Sequence, residues 1–337
     1  MSNKHTISDL YQMQSLPLQA KIQMTRRRIS EWVDAFGEDG IYVSFSGGKD
    51  STVLLDIVRK DYPDVKAVFV DTGLEYPEIR SFVKGFNNVD WIKPKMTFKQ
   101  VIEKYGYPFI GKEVSLKVAE VKSKPNGYAS KSFNGGRKPP YDYSKWAFLL
   151  QSPFKIDGKC CNEMKKKPFK RYEKQTKRNG ITAQMASESL ARTKEWLVNG
   201  CNAFNKGRPI SNPMAFWTEQ DVLLYIKENN LPIASVYGEV VIDYEAEGQL
   251  EGQMDMFDLG ILDKDRRLLK TTGCNRTGCM FCGYGCHLEK SPNRFERMKE
   301  THPKQYNYIM KPVSDGGLGY KEIIDWINEH GNMNIKY

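Results

Sequence analysis

The chain has 337 residues, with 51 Lys and Arg against 41 Asp and Glu for a net charge of +10, and a mean hydropathy of −0.59. That length exceeds one small core, so two domains or one domain with large additions are expected, and no apolar run reaches bilayer length. The opening MSNKHTISDLYQMQ lacks the charged-then-apolar order of a secretory signal, so a soluble, cytoplasmic protein with no membrane partner is expected; the basic balance suits a nucleotide or nucleic acid, or is simply a basic surface.

Residues 1–38 read as an N-terminal helical arm, with Pro17 near a helix start and LQAKIQMTRRRISEWVDAFG ending at Gly37. From Ile41 the pattern alternates. The strand IYVSFS precedes a helix over 50–59, KAVFVD (66–71) precedes PEIRSFVKGF, and VDWIKP (89–94) precedes TFKQVIEKYG. Strands alternating with helices of this length predict βαβ units and a parallel sheet. Residues 121–145, rich in Pro, Gly, Ser and Lys, read as a long loop. A basic helix, MKKKPFKRYEKQTKR, follows, then the strand ITAQMA (181–186). Thr218-Glu-Gln-Asp221 is a capping-box pattern opening a helix. The stretch 243–258 is acidic and reads as an exposed insertion, and two amphipathic helices are expected to close the chain. These shifts divide the sequence into the arm (1–38), an α/β domain (39–240), and a C-terminal region (241–337) of insertion, cysteine cluster and helices.

Within the first βα turn lies Ser46-Gly-Gly-Lys-Asp-Ser51. An apolar strand runs into Gly47 and Gly48, and a helix starts at once. The free backbone N–H groups of a first helical turn make a natural anion site, which glycines let a phosphate approach closely. Ser46 and Ser51 offer hydroxyls and Lys49 a charge; Ser44 ends the strand. The next strand ends at Asp71, followed by Thr72 and Gly73, and a carboxylate there faces the ligand crevice of an open sheet.

The seven cysteines are unevenly placed: Cys160 and Cys161 are adjacent, Cys201 is alone, and Cys274, Cys279, Cys282 and Cys286 share one glycine-rich loop. Clustered thiols in a cytosolic chain point to a metal or to redox chemistry, with an iron–sulfur cluster and structural zinc as rivals. Cys201 reads as a small buried side chain. His287, beside Cys286, reads as structural rather than metal-binding. The basic run from Lys165 to Arg171 reads either as a solvated helix face or as the lining of a phosphate-rich site.

The loop at 46–51 resembles the S-G-G-x-D-S PP-loop of the ATP-pyrophosphatase superfamily. Asp71-Thr72-Gly73, with Pro77-Glu78 beyond it, is similar to the signature of its phosphoadenylyl sulfate (PAPS) reductase family. KCCNEMKKKP (159–168) looks like the paired-cysteine segment of adenylyl sulfate reductases, and Glu188-Ser189-Leu-Ala-Arg192 like the family's E/Q-S-x-x-R element. The resemblance implies a doubly wound parallel α/β sheet of the adenine nucleotide alpha-hydrolase type, with the helical arm before it and a cysteine-rich helical region after it. It implies that ATP or a related adenine nucleotide binds at Ser44, Ser46, Gly47, Gly48, Lys49, Asp50, Ser51, Asp71, Thr72, Gly73, Glu188, Ser189 and Arg192. Lys49 would stabilise phosphate charge, and Asp50 or Asp71 would hold Mg²⁺. It also implies a [4Fe–4S] cluster on Cys160, Cys161, Cys279 and Cys282, with Cys274 or Cys286 able to replace one of the adjacent pair or to carry sulfur.

Two departures fall on the sulfate end of the family's substrate. The sequence shows no Cys-Gly-x-His tail after Cys286, and the family's sulfate-contacting arginine falls at Met185. A thioether cannot clamp sulfate as a guanidinium does. The expected activity is therefore an adenylating sulfur transfer, with tRNA or DNA as candidate acceptor and a donor such as a cysteine desulfurase. The alternatives are a sulfonucleotide reductase with a non-standard catalytic cysteine, and a zinc-stabilised nucleotide or nucleic-acid-binding module.

Overall fold

The computed structural model describes residues 3–244 and 267–337. Ten strands occur among them: β1 Ile41–Ser44, β2 Ala67–Val70, β3 Val89–Ile92, β4 Phe109–Ile110, β5 Asn179–Ile181, β6 Asn202–Ala203, β7 Ile210–Ser211, β8 Val240–Ile242, β9 Leu269–Thr271 and β10 Gly283–Tyr284. The chain forms two compact units. One comprises Met1–Asp71, Glu75–Ile92 and Phe169–Thr277; the other Thr72–Leu74, Lys93–Pro168 and Gly278–Tyr337.

The first unit is built on a six-stranded sheet in the order β3-β2-β1-β5-β7-β6. Every pairing is parallel except β6 with β7. The chain steps from β1 outward through β2 to β3, then returns to place β5 on the opposite side of β1. That reversal makes the carboxyl ends of β1 and β5 a topological switch point, the place where open α/β sheets bind ligands. Ile41, Tyr42 and Val43 are all buried, as a central parallel strand covered on both faces requires. The expected strand at 181–186 is displaced toward the N-terminus. Pairing runs over 179–181 and ends with the Thr182 N–H on the Ser211 carbonyl, after which the chain leaves the sheet toward Glu188.

The helix Leu18–Phe36 belongs to the core of this unit, with Ile29 and Trp32 buried in it. Lys21, fully buried, donates to Asp221 at 2.7 Å and to the Gln14 carbonyl at 2.6 Å. Asp221 also completes the capping box of the helix Glu219–Glu228, accepting from the Thr218 N–H. Such a buried pair is tolerated because its remaining valences are hydrogen-bonded.

The second unit joins β4 and β10 in a short parallel pair, Phe109 beside Gly283 and Ile110 beside Tyr284. Three helices follow Pro292, at Arg294–Thr301, Pro303–Met310 and Tyr320–Gly331, where the sequence suggested two. Pro303 opens a new helix directly after the first one ends. The stretch read as a loop over 121–145 holds the end of the helix Lys112–Ser123, the 3₁₀ turn Tyr128–Ser132 and the start of the 3₁₀ segment Ser144–Gln151. Most of the acidic insertion, from 245 to 258, lies outside the described residues. No helix among the described residues is long and apolar enough to cross a membrane.

Candidate phosphate-loop site and cysteine pocket

The β1–helix turn requires its glycines for different reasons. Gly47 has φ +71°, and a Cβ there would lie 2.7 Å from Val83 Cγ2. Only glycine fits such a position without strain. Gly48 has an ordinary φ of −76° and caps the helix Lys49–Asp61. A Cβ on it would stand 3.2 Å from both Ser46 Oγ and the Tyr237 hydroxyl, so the lack of a side chain keeps the surface open. Ser46 and Ser51 brace the turn. Their hydroxyls are 3.0 Å apart, Ser51 Oγ accepts the Ser46 N–H, and Ser46 Oγ accepts the Gly48 N–H.

Lys49 is buried, and its ammonium donates to Glu219 Oε1 at 2.6 Å and to the Asn275 carbonyl. It also lies 5.7 Å from the centre of the Tyr237 ring. Tyr237 accepts the Lys49 N–H and meets the Thr277 hydroxyl. Burial pushes the Asp50 carboxyl above its ordinary value of 3.8, against the pull of Lys49, Arg276 and Arg192. Asp71 ends β2, with Oδ2 accepting from Arg80 at 2.9 Å while its buried Oδ1 has no hydrogen-bond partner. Ser44, the last residue of β1, is half-buried and registers with Val68. Thr72 and Gly73 belong to the second unit, where the Thr72 hydroxyl accepts the Leu74 N–H. Gly73 has φ +75°.

After β5, Met185 is buried in the core and its N–H donates to Glu188 Oε2 at 2.9 Å. Ser189 caps the helix Leu190–Asn199, accepting the Arg192 N–H. Arg192 pairs with Glu188, and Arg276 donates to Glu188 Oε1 at 2.6 Å. Sequence reasoning assigned no role to Glu219, Tyr237, Asn275, Arg276 or Thr277. All five escaped because their contacts join segments far apart in the chain; Asn275, Arg276 and Thr277 lie inside the cysteine loop itself, where only the thiols drew attention.

In the second unit Cys160, Cys161, Cys279 and Cys282 line one pocket, together with Lys165 and Tyr284. The loop carrying two of them is fixed: the Met280 N–H binds the Leu74 carbonyl, Cys282 N–H the Cys279 carbonyl, and Arg294 the Cys282 carbonyl at 2.7 Å. Burial, then the neighbouring Cys279, Cys161 and Cys282, pushes the Cys160 thiol well up. Cys282 is pushed up by burial as well, and two thiols so placed resist ionising unless a cationic centre compensates them, which is the chemistry a thiolate-bound metal centre supplies. The Tyr284 hydroxyl is buried without a partner. The cavity measures only about 20 Å³, room for about one water, so the fit rests on the donors and not on the void. Among the described residues no group of three or more Cys, His, Asp or Glu is arranged to hold a metal ion.

Cys274 falls in the first unit, its N–H on the Val236 carbonyl. Cys286 is buried and does not line the pocket; burial pushes its thiol up to about 12. Cys201 is a buried core side chain. His287 packs edge-on against Trp146, and burial lowers its basicity.

A parallel α/β sheet with a glycine turn at its switch point defines the first unit as a nucleotide-binding type of fold. The sequence model of the phosphoadenosine phosphosulfate reductase domain matches residues 40–284, and the chain belongs to that family. Adenosine 5'-phosphosulfate reductase of Staphylococcus haemolyticus is 23% identical over 274 residues, covering 78% of this chain and 87% of that protein. An uncharacterized protein of Methanocaldococcus jannaschii is 25% identical over 295 residues, covering 84% of this chain but 50% of that protein. Among solved structures, phosphoadenylyl-sulfate reductase of Candida auris in a phosphate complex is similar over 70% of this chain and 92% of that one, with 18% identity and a TM-score of 0.36.

Proposed function

We propose that the protein is an ATP-dependent adenylating enzyme that activates an oxygen of its acceptor for replacement by sulfur. The observation that carries this reading is the pairing, in one chain, of a glycine phosphate loop at the sheet's switch point with four thiols lining a single pocket. ATP would lie over the Gly47–Gly48 turn, its phosphates on the helix N-terminus, with Lys49 released from Glu219 to meet them. Asp50 and Asp71 are the carboxylates available for Mg²⁺, and the unpartnered Asp71 Oδ1 supports the latter.

The acceptor oxygen attacks the α-phosphorus, the bond to the bridging oxygen breaks, and pyrophosphate leaves. Sulfur at the sulfide oxidation level then forms a carbon–sulfur bond as the carbon–oxygen bond breaks. AMP leaves with the oxygen, so no oxidant or reductant is consumed. The donor set of Cys160, Cys161, Cys279 and Cys282 suits a [4Fe–4S] cluster, with zinc as the alternative. When bound, such a cluster supplies sulfur-delivery or electron-transfer chemistry. A nucleic acid acceptor, tRNA or DNA, agrees with the net charge of +10. A cysteine desulfurase would deliver its sulfur as a persulfide, which two further thiols must first reduce to sulfide, themselves becoming a disulfide.

The names of the relatives favour a second reading, reduction of a sulfonucleotide. Met185 weighs against it: the side chain at that position is apolar and buried. One assay separates the two. Anaerobically purified protein should release pyrophosphate from ATP in the presence of tRNA or DNA. Release of sulfite from adenylyl sulfate with a thiol reductant, and no pyrophosphate from ATP, would replace the proposal with reduction.

A further inference from the structure

Glu188 stands at the end of a short 3₁₀ turn after β5, and three donors converge on its carboxylate. Arg276 Nη2 reaches Oε1 at 2.6 Å, the Met185 N–H reaches Oε2 at 2.9 Å, and Arg192 Nη1 pairs with the same Oε2. Two guanidiniums on one carboxylate are more than an ion pair needs. The arrangement matches the fork-like recognition of an oxyanion, and a phosphate offers the same oxygens with more charge.

Both arginines are held from separate scaffolds. Arg192 lies in the first turn of a helix capped by Ser189. Arg276 rides on a segment pinned by the Cys274 N–H on the Val236 carbonyl, by the Asn275 carbonyl on Lys49, and by Thr277 on Tyr237. Its side chain remains 56% exposed, so a ligand can reach it. Arg276, Arg192 and Lys49 all bear on Asp50 in the first turn after the glycine loop, which puts the three cations in one electrostatic neighbourhood. The two guanidiniums also repel each other: after burial, Arg276 is what lowers the basicity of Arg192.

We propose that Arg192 and Arg276 form a two-guanidinium site for the phosphate chain of the bound nucleotide, and that Glu188 is its internal stand-in, displaced when the nucleotide enters. This rests on the nucleotide reading and adds a residue to it, because Arg276 comes from the cysteine loop and not from the phosphate-loop signature. Lys49 follows the same logic, held by Glu219 until a phosphate arrives. The site would thus enter the cycle neutralised by its own carboxylates and exchange them for the ligand's oxygens.

Calorimetric titration of ATP, inorganic tripolyphosphate and adenosine into wild type, Arg276→Ala, Arg276→Lys and Glu188→Gln tests this. Arg276→Ala should weaken ATP and tripolyphosphate about tenfold or more and leave adenosine unchanged, with Arg276→Lys recovering only part. Glu188→Gln removes the competing charge and should tighten tripolyphosphate severalfold. Tripolyphosphate bound within twofold of wild type by Arg276→Ala, or loosened by Glu188→Gln, overturns the inference. If wild type binds tripolyphosphate but not ATP, the nucleotide reading fails while the arginine arms still decide the anion site; if Gly48→Val abolishes ATP binding and Arg276→Ala does not weaken it, only the inference falls.

Discussion

Lys49 Nζ lies 2.6 Å from Glu219 Oε1, a partner 170 residues away, and not in open space above the glycine turn. The ammonium is buried while the carboxylate is about half exposed, so the pair can open from the Glu219 side. We expect Lys49→Ala to weaken ATP and ADP by about tenfold or more and adenosine little, because only charge on the phosphates is lost. Equal weakening of all three in calorimetry would show that the lysine shapes the site rather than the phosphate contact.

The two glycines should separate folding from binding. Gly47→Ala forces a side chain into a left-handed φ and against Val83, so a loss of about 1–3 kcal/mol is expected in denaturant unfolding. Gly48→Val meets no forbidden φ but crowds Ser46 and Tyr237, so it should abolish ATP affinity while the protein still folds cooperatively, with a modestly lowered unfolding midpoint. Unchanged ATP affinity would place the phosphate elsewhere.

Asp50 predicts a pH effect with a definite sign. Its carboxyl is raised in the folded protein, so ionising it costs stability above its unfolded value of 3.8. Asp50→Asn should therefore melt higher than wild type at pH 7. The gap should shrink as pH falls through the raised folded value and vanish below 3.8, where the wild-type carboxyl is protonated in both states. A variant that melts lower at pH 7 would mean that its charge is compensated after all.

Lys21 and Asp221 are both fully buried, so removing one partner strands the other. Lys21→Met should cost about 3–5 kcal/mol in urea unfolding, and Lys21→Met with Asp221→Leu should recover part of it. A single-variant loss under about 1 kcal/mol would mean that water reaches the pair.

Protein purified without oxygen should be brown and carry iron and sulfide, and Cys279→Ser or Cys282→Ser should bleach it. Cys201→Ser, in the core of the other unit, should keep the colour. One equivalent of zinc and no iron would overturn the cluster assignment.

The sheet was legible in the sequence because its strands are short apolar runs punctuated by helices at regular intervals, and period and punctuation are local properties. IYVSFS and KAVFVD fall on β1 and β2 within a residue or two. ITAQMA did not, since an apolar extended run after the last ladder bond looks like strand until the neighbouring strand is known to end. The glycine turn was equally local: positive φ and a missing side chain are written in the residue type. What the sequence could not carry is which distant groups answer each other. Lys49 offered a charge to phosphate in the sequence; only the packing of the helix Glu219–Glu228 and the 274–277 segment ties it to Glu219 and Asn275. Arg276 likewise reads as a spacer among cysteines until folding sets it on Glu188. The cysteines divide the same way. Their clustering showed in the sequence, but that Cys160 and Cys161 share a pocket with Cys279 and Cys282, while Cys274 falls in the other unit, depends on long-range contacts. Local residue chemistry determines the kinds of site; long-range contacts, whose partners no local pattern encodes, determine which residues build them.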